Sequence, residues 1–121
     1  MTLQKILELT EARLLTQHTN LDIDVTAAFA ADLMSDVLHL ATSGTLLITG
    51  LTHPQVVRTA EMAEMAAILY VRDKMPPSVT IQLAELKGVP LLTTQYTLFE
   101  TSGRIYSAGM NSCDVPRSQT S

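Results

Sequence analysis

Leu46-Leu47-Ile48-Thr49-Gly50-Leu51-Thr52-His53 is an apolar run that passes through threonine into a turn, and Pro54 follows it. Consecutive apolar residues leave no wet face, so the run predicts a strand covered on both sides, as in a parallel sheet. Pro54 suits the first turn of a helix, where a missing N–H costs nothing. The phrase returns as Leu91-Leu92-Thr93-Thr94-Gln95-Tyr96-Thr97-Leu98, and Ala67 to Val71 is a third buried run. Strands alternating with helices across short turns predict an α/β protein, a single-domain layered fold with a mostly parallel sheet flanked by helices.

Working outward, Leu3, Ile6 and Leu7 recur at helical spacing behind Thr2, which predicts a first helix over 3–9. Arg13 to Gln17 reads as a strand, Asn20 to Asp24 as a turn and Val25 to Ala30 as an extended run. Asp32 is the expected N-cap of a helix that buries Leu33, Met34, Val37, Leu38 and Ala41 and ends at Gly44. After Pro54, the positions Val56, Val57, Ala60 and Ala63 should face the core. Val79, Leu83 and Leu86 define a helix stopped by Gly88, and Val89 to Thr94 is the next strand. Thr97-Leu98-Phe99-Glu100 is a capping box for a last helix running to about Ala108. Asn111 to Ser121 has no apolar period, so the expected division is a domain over 1–110 and a disordered polar tail over 111–121.

Bulk composition narrows the function classes. Twelve acidic against eight basic residues give a formal net charge of -4 with no basic cluster, which argues against a nucleic-acid partner. Cys113 is the only cysteine, which excludes an intramolecular disulfide and a cysteine-based zinc site and fits a reducing, cytoplasmic setting. No signal peptide and no bilayer-length apolar run is present, so no membrane association is expected. Charged residues are 17% of the chain, a low share that predicts apolar surface covered by a partner. Met62 and Met65, on a helix packed against a sheet, are of the kind that usually fills gaps, though exposed methionines can serve such a contact. Gly103, in mid-helix, predicts close approach of the sheet, a neighbouring helix or a partner subunit.

Ligands of open α/β sheets gather at the carboxyl ends of the strands, where helix N-termini favour anions. That places a candidate ligand site at Thr49, Thr52, His53, Thr93, Thr94 and Thr97, suited to a nucleotide or small phosphorylated ligand. The alternative for these threonines is structural, as strand ends and N-caps. His53 has no nucleophile to activate, Glu61 and Glu64 lie beside Arg58 on a solvated face, and the three histidines lack metal-ligand spacing. No standard phosphate-loop or dinucleotide fingerprint occurs. The expectation is therefore no catalytic residue, no metal and no cofactor.

The segment Asp24-Val25-Thr26-Ala27-Ala28-Phe29-Ala30-Ala31-Asp32-Leu33-Met34-Ser35-Asp36-Val37-Leu38, with Gly44-Thr45-Leu46-Leu47-Ile48-Thr49 and Thr52-His53-Pro54, resembles the DRTGG domain, from Leu3 to Gly109. Such domains are α/β modules similar to the N-terminal domain of HPr kinase/phosphorylase, and they accompany CBS or phosphotransacetylase domains. The resemblance implies a regulatory or dimerising role, here as a stand-alone homodimeric module with a protein partner. At the name-giving motif the chain keeps Asp24 and Thr26, while Val25 stands for the arginine and Ala27 and Ala28 replace the glycines. Alanine gives up positive φ and fills space at which a backbone would meet an anion, which favours a scaffold role. The competing expectations are a small enzyme acting on an anionic metabolite at the threonine rim, and a purely structural dimerisation domain.

Overall fold

The sheet runs in the order β1-β5-β4-β3-β2 in the structure, a computed structural model that describes residues 1–113. Its strands are β1 (Arg13–Leu14), β2 (Ala27–Ala30), β3 (Thr45–Thr49), β4 (Ala67–Tyr70) and β5 (Leu91–Thr93). The helices are α1 (Leu3–Thr10), α2 (Met34–Leu40), α3 (Pro54–Met62), α4 (Ser78–Lys87) and α5 (Leu98–Ser107). β2, β3, β4 and β5 are parallel, with Leu47 opposite both Phe29 and Ile68; β1 alone runs antiparallel, against β5. The repeated apolar-run phrase thus identifies two parallel strands of one sheet, with the strand over 67–70 between them.

Burial on both faces follows the pleat, which sends successive side chains to opposite sides. Leu46, Ile48, Leu69 and Leu92 join Leu3, Ile6 and Ile105 in one core, under α1 and α5. Leu47, Ile68, Tyr70 and Leu91 join Val37, Val56, Val57, Ala60 and Ala84 in the other, under α2, α3 and α4. Every residue of β3, β4 and β5 is buried. None of the helices among the described residues is long and apolar enough to cross a membrane.

Several local expectations change. α2 has two turns, begins at Met34 and buries Val37 fully; Leu33 and Leu38 are exposed, because so short a helix turns only a narrow stripe inward. Asp32 does not cap it, since its carboxylate is taken by β3. α2 also stops before Gly44, which instead serves the turn into β3: its φ is +82°, and a Cβ there would lie 3.0 Å from the Thr26 hydroxyl. In α4 the inward positions are the small residues Thr80 and Ala84, while Val79 and Leu86 are exposed. The extended run at 25–30 forms ladder pairs over Ala27–Ala30, and the strand expected at 13–17 is two residues long. Met65 is buried and Met62 exposed.

The polar tail starts later than its composition predicts. Asn111 accepts a hydrogen bond from the Ala28 N–H at 3.0 Å, and Ser112 forms a parallel bridge with Ala28. Residues 114–121 of that expected tail lie outside the described residues.

Candidate functional site

The threonine rim is built, but much of it is turned inward. At the end of β3 the Thr49 hydroxyl donates to Asp32 Oδ1 at 2.8 Å, and the Gly50 N–H donates to the same oxygen at 2.9 Å. At the end of β5 the Thr93 hydroxyl donates to the Lys74 carbonyl at 2.8 Å, and the Thr94 hydroxyl to the Thr10 carbonyl at 2.6 Å. Thr49, Thr93 and Thr94 are all buried. These three bonds fasten α2's approach, the β4–α4 loop and α1 to the sheet, which is the structural alternative for threonines at strand ends.

What remains at that edge is Thr52, His53 and Thr97. Thr52 offers its carbonyl to the Thr80 hydroxyl at 2.9 Å, and exposed His53 stands at the N-cap of α3 with no side-chain cap bond. Thr97 caps α5 by accepting the Glu100 N–H at 3.4 Å. Glu100 does not complete the box; it pairs with Arg104 at 2.9 Å. α3 and α5 belong to opposite faces of the sheet, so their N-termini flank its edge from the two sides. Between the ends of β3 and β5 the chain leaves β4 through Arg72 and Asp73, both at positive φ, whose N–H groups donate to Tyr96 and Thr94.

Asp32 is the residue of this edge that spacing did not single out for its true role. One oxygen holds two donors from a strand that follows 17 and 18 positions later, and only tertiary structure shows that. Hydrogen bonds to a charged group are worth about 1.5–3 kcal/mol, less when solvent reaches them. Asp32→Ala is expected to cost about 1–2 kcal/mol, read as a lowered urea midpoint, with Asp32→Asn recovering part of the loss.

A second cluster closes the rim on the α1 side. The Tyr96 hydroxyl donates to the Glu11 carboxylate, and the Arg104 guanidinium lies 3.9 Å above the Tyr96 ring while reaching Glu11 at 3.5 Å. The bond to Glu11 is the main reason that the Tyr96 phenol is held above its ordinary pKa. These groups join the segment after β5 to the end of α1.

The motif segment occupies a different part of the molecule. Asp24 pairs with the Met1 ammonium at 3.0 Å, and the Thr26 hydroxyl donates to the Gly44 carbonyl at 3.3 Å. Ala27 is buried within β2, and Ala28 lines a cavity of about 300 Å³ between β2 and α5. Its floor is Ala28, Ala30 and Ile48; its α5 wall is Phe99, Ser102, Gly103 and Tyr106. The cavity exists because α1 and α5 cover this face only as far as β3, leaving the small residues of the edge strand open. A second cavity of about 310 Å³, lined by Asp24 and Thr26, adjoins it through Met110 and Asn111. Phe99 is 88% exposed and Tyr106 52%.

Gly103 faces that opening. A Cβ built on it would meet nothing within 4 Å, so neither the sheet nor a neighbouring helix explains a mid-helix glycine. Glycine there costs about 1 kcal/mol relative to alanine. A third cavity of about 460 Å³ lies at the amino ends of β4 and β5, beside Thr16, His18 and Glu85. Among the described residues no group of three or more His, Cys, Asp or Glu side chains is placed to hold a metal ion.

The family model of the DRTGG domain matches residues 5–108. A solved structure similar to this chain is that of the CBS and DRTGG domains of the regulatory region of Clostridium perfringens pyrophosphatase, complexed with the activator diadenosine tetraphosphate. The TM-score is 0.71 at 18% identity, over 95% of this chain and 47% of that one. This chain therefore spans about half the length of that region. No curated protein matches it.

Proposed function

Because the chain belongs to the DRTGG domain family, we propose that it is a regulatory interaction module, a homodimer that engages a protein partner and binds a nucleotide or other phosphorylated small ligand. The observation that carries the reading is the placement of the motif. Asp24, Thr26 and Ala28 border two adjoining cavities on a face whose aromatic side chains are exposed, a surface made for contact. We place the module over residues 1–110, with Asn111 and Ser112 still joined to β2, in a cytoplasmic setting, with no part in catalysis.

The ligand half of the proposal rests on the sheet edge. Helix N-termini carry unpaired N–H groups and partial positive charge. α3 and α5 both begin there, and exposed Arg72 and Lys74 stand on the intervening loop, beside exposed Asp73 and Asp32. A regulatory region of the same fold is complexed with a dinucleoside polyphosphate, so adenine nucleotides are the first ligands to test.

Calorimetry of the full chain with ATP, ADP, diadenosine tetraphosphate and inorganic phosphate is expected to show binding by at least one nucleotide. Losing one hydrogen bond to a charged group costs about 1.5–3 kcal/mol. Thr52→Ala or Thr97→Ala should therefore weaken that binding about tenfold or more. Thr97 is also a helix cap, so the unfolding midpoint is measured alongside. No heat with any ligand, or equal affinity in all three proteins, leaves the scaffold reading. Turnover of an anionic metabolite that depends on His53 replaces it with an enzyme.

A further inference from the structure

We propose that a second copy of this chain docks in the β2–α5 groove, its α5 lying antiparallel against this one about a two-fold axis between Ser102 and Gly103. The inference rests on the homodimer reading and supplies the surface that reading lacks.

The argument begins with spacing on α5. Leu98, Thr101 and Ile105 turn toward the sheet, with Thr101 and Ile105 fully buried. Phe99, Ser102, Gly103 and Tyr106 form a second stripe at i, i+3, i+4 and i+7, lining the groove. An isologous contact must carry its own complement, because each residue meets whatever the two-fold axis sends to it. Phe99 and Tyr106 are seven residues apart, about 10.5 Å along the helix, and their midpoint falls between Ser102 and Gly103. A two-fold axis there brings Phe99 of one copy to Tyr106 of the other. It also brings the two smallest positions of the stripe together on the axis, where the backbones must approach most closely.

The groove supplies what the aromatics need. Its floor is Ala28, Ala30 and Ile48, with no charged side chain among its lining residues. The area is of the right order. An aromatic side chain buries about 150–250 Å², so covering the exposed parts of Phe99 and Tyr106 removes about 200–350 Å² per copy. Groove walls covered to the same extent bring the total to about 800–1,400 Å² over both copies, a span that includes the roughly 1,000 Å² a biological interface needs. Gly103 then has its reason: an open side of the helix in one copy becomes the crossing point of two.

Sedimentation equilibrium of the full chain tests this. The wild type is expected to be a dimer at micromolar concentration. Phe99→Glu and Gly103→Arg are expected to raise the dimer dissociation constant at least tenfold, with unchanged far-UV circular dichroism, since both positions point away from the core. Leu86→Arg, at an exposed site on the opposite layer, should leave the dimer intact. Ser102→Cys combined with Cys113→Ser should give a covalent dimer on mild oxidation. A monomeric wild type overturns the interface together with the homodimer reading. A dimer that survives both groove variants, or that fails to cross-link through position 102, overturns this interface while the homodimer reading stands.

Discussion

Truncating Leu47 to alanine is expected to cost about 3–5 kcal/mol, enough to remove a large part of the stability of a domain this size. Leu47 is fully buried in β3, flanked in the ladder by Phe29 and Ile68 and packed among Val37, Val56 and Val57. Its deletion leaves a cavity that neighbouring strands cannot fill, because their own side chains are fixed by register. Leu46→Ala probes the other core and should cost about as much, since Leu46 is equally buried on the opposite face. Leu86→Ala, at a leucine 80% exposed, should change stability by no more than about 0.5 kcal/mol. Urea unfolding of the three variants checks the point, with a loss on one face alone contradicting a sheet covered on both sides.

Tyr70→Phe is expected to act in the opposite direction. Tyr70 closes β4 with no exposed surface, and its hydroxyl has no hydrogen-bond partner among the described residues. An unsatisfied buried polar group costs about 1–3 kcal/mol, so removing the oxygen while keeping the ring should raise stability by about that amount. Burial also pushes the phenol's pKa well up, which fixes the pH dependence. The folded protein keeps the neutral phenol, while the unfolded chain ionises near pH 10. The stability held below that pH is therefore lost progressively as pH rises above it. The phenylalanine variant should lack this alkaline loss. A destabilised variant means that the hydroxyl is bonded in solution, and an unchanged alkaline slope means that the phenol ionises as readily in the folded protein as in the unfolded chain.

The contrast between these two sites shows what a linear reading reaches. Leu47 was legible because a run without polar positions has only one stable environment, between two layers. Pro54 and the Thr97 cap are legible for a different reason, since each acts within a few residues of itself. The roles of Thr49, Thr93 and Thr94 divided: their place at strand ends follows from sequence, but the partners that occupy their hydroxyls come from segments up to 84 positions away. Local spacing makes Asp32 a cap, whereas its bond to Thr49 reaches across 17 positions. In α4, Thr80 and Ala84 fill the inward positions ahead of larger side chains, which the apolar spacing of Val79, Leu83 and Leu86 does not reveal. The groove depends on β2 being the edge strand, which no periodicity within β2 reveals. Its one linear trace is Gly103, anomalous in a helix and flanked by aromatics four residues before it and three after it.

The parallel bridge between Ala28 and Ser112 has a consequence for how this protein resists misassembly. An edge strand with free N–H and C=O groups invites another chain to add to it and then another, which is the route to fibres. Here the Ala28 N–H on the outer edge of β2 is occupied by the chain's own Asn111, and the other border is a two-residue strand running against its neighbour. Neither border offers a long ladder to extend. Contacts between molecules are thereby left to side chains, whose shapes fit few partners, and the backbone, which would pair with any strand, is kept out of reach.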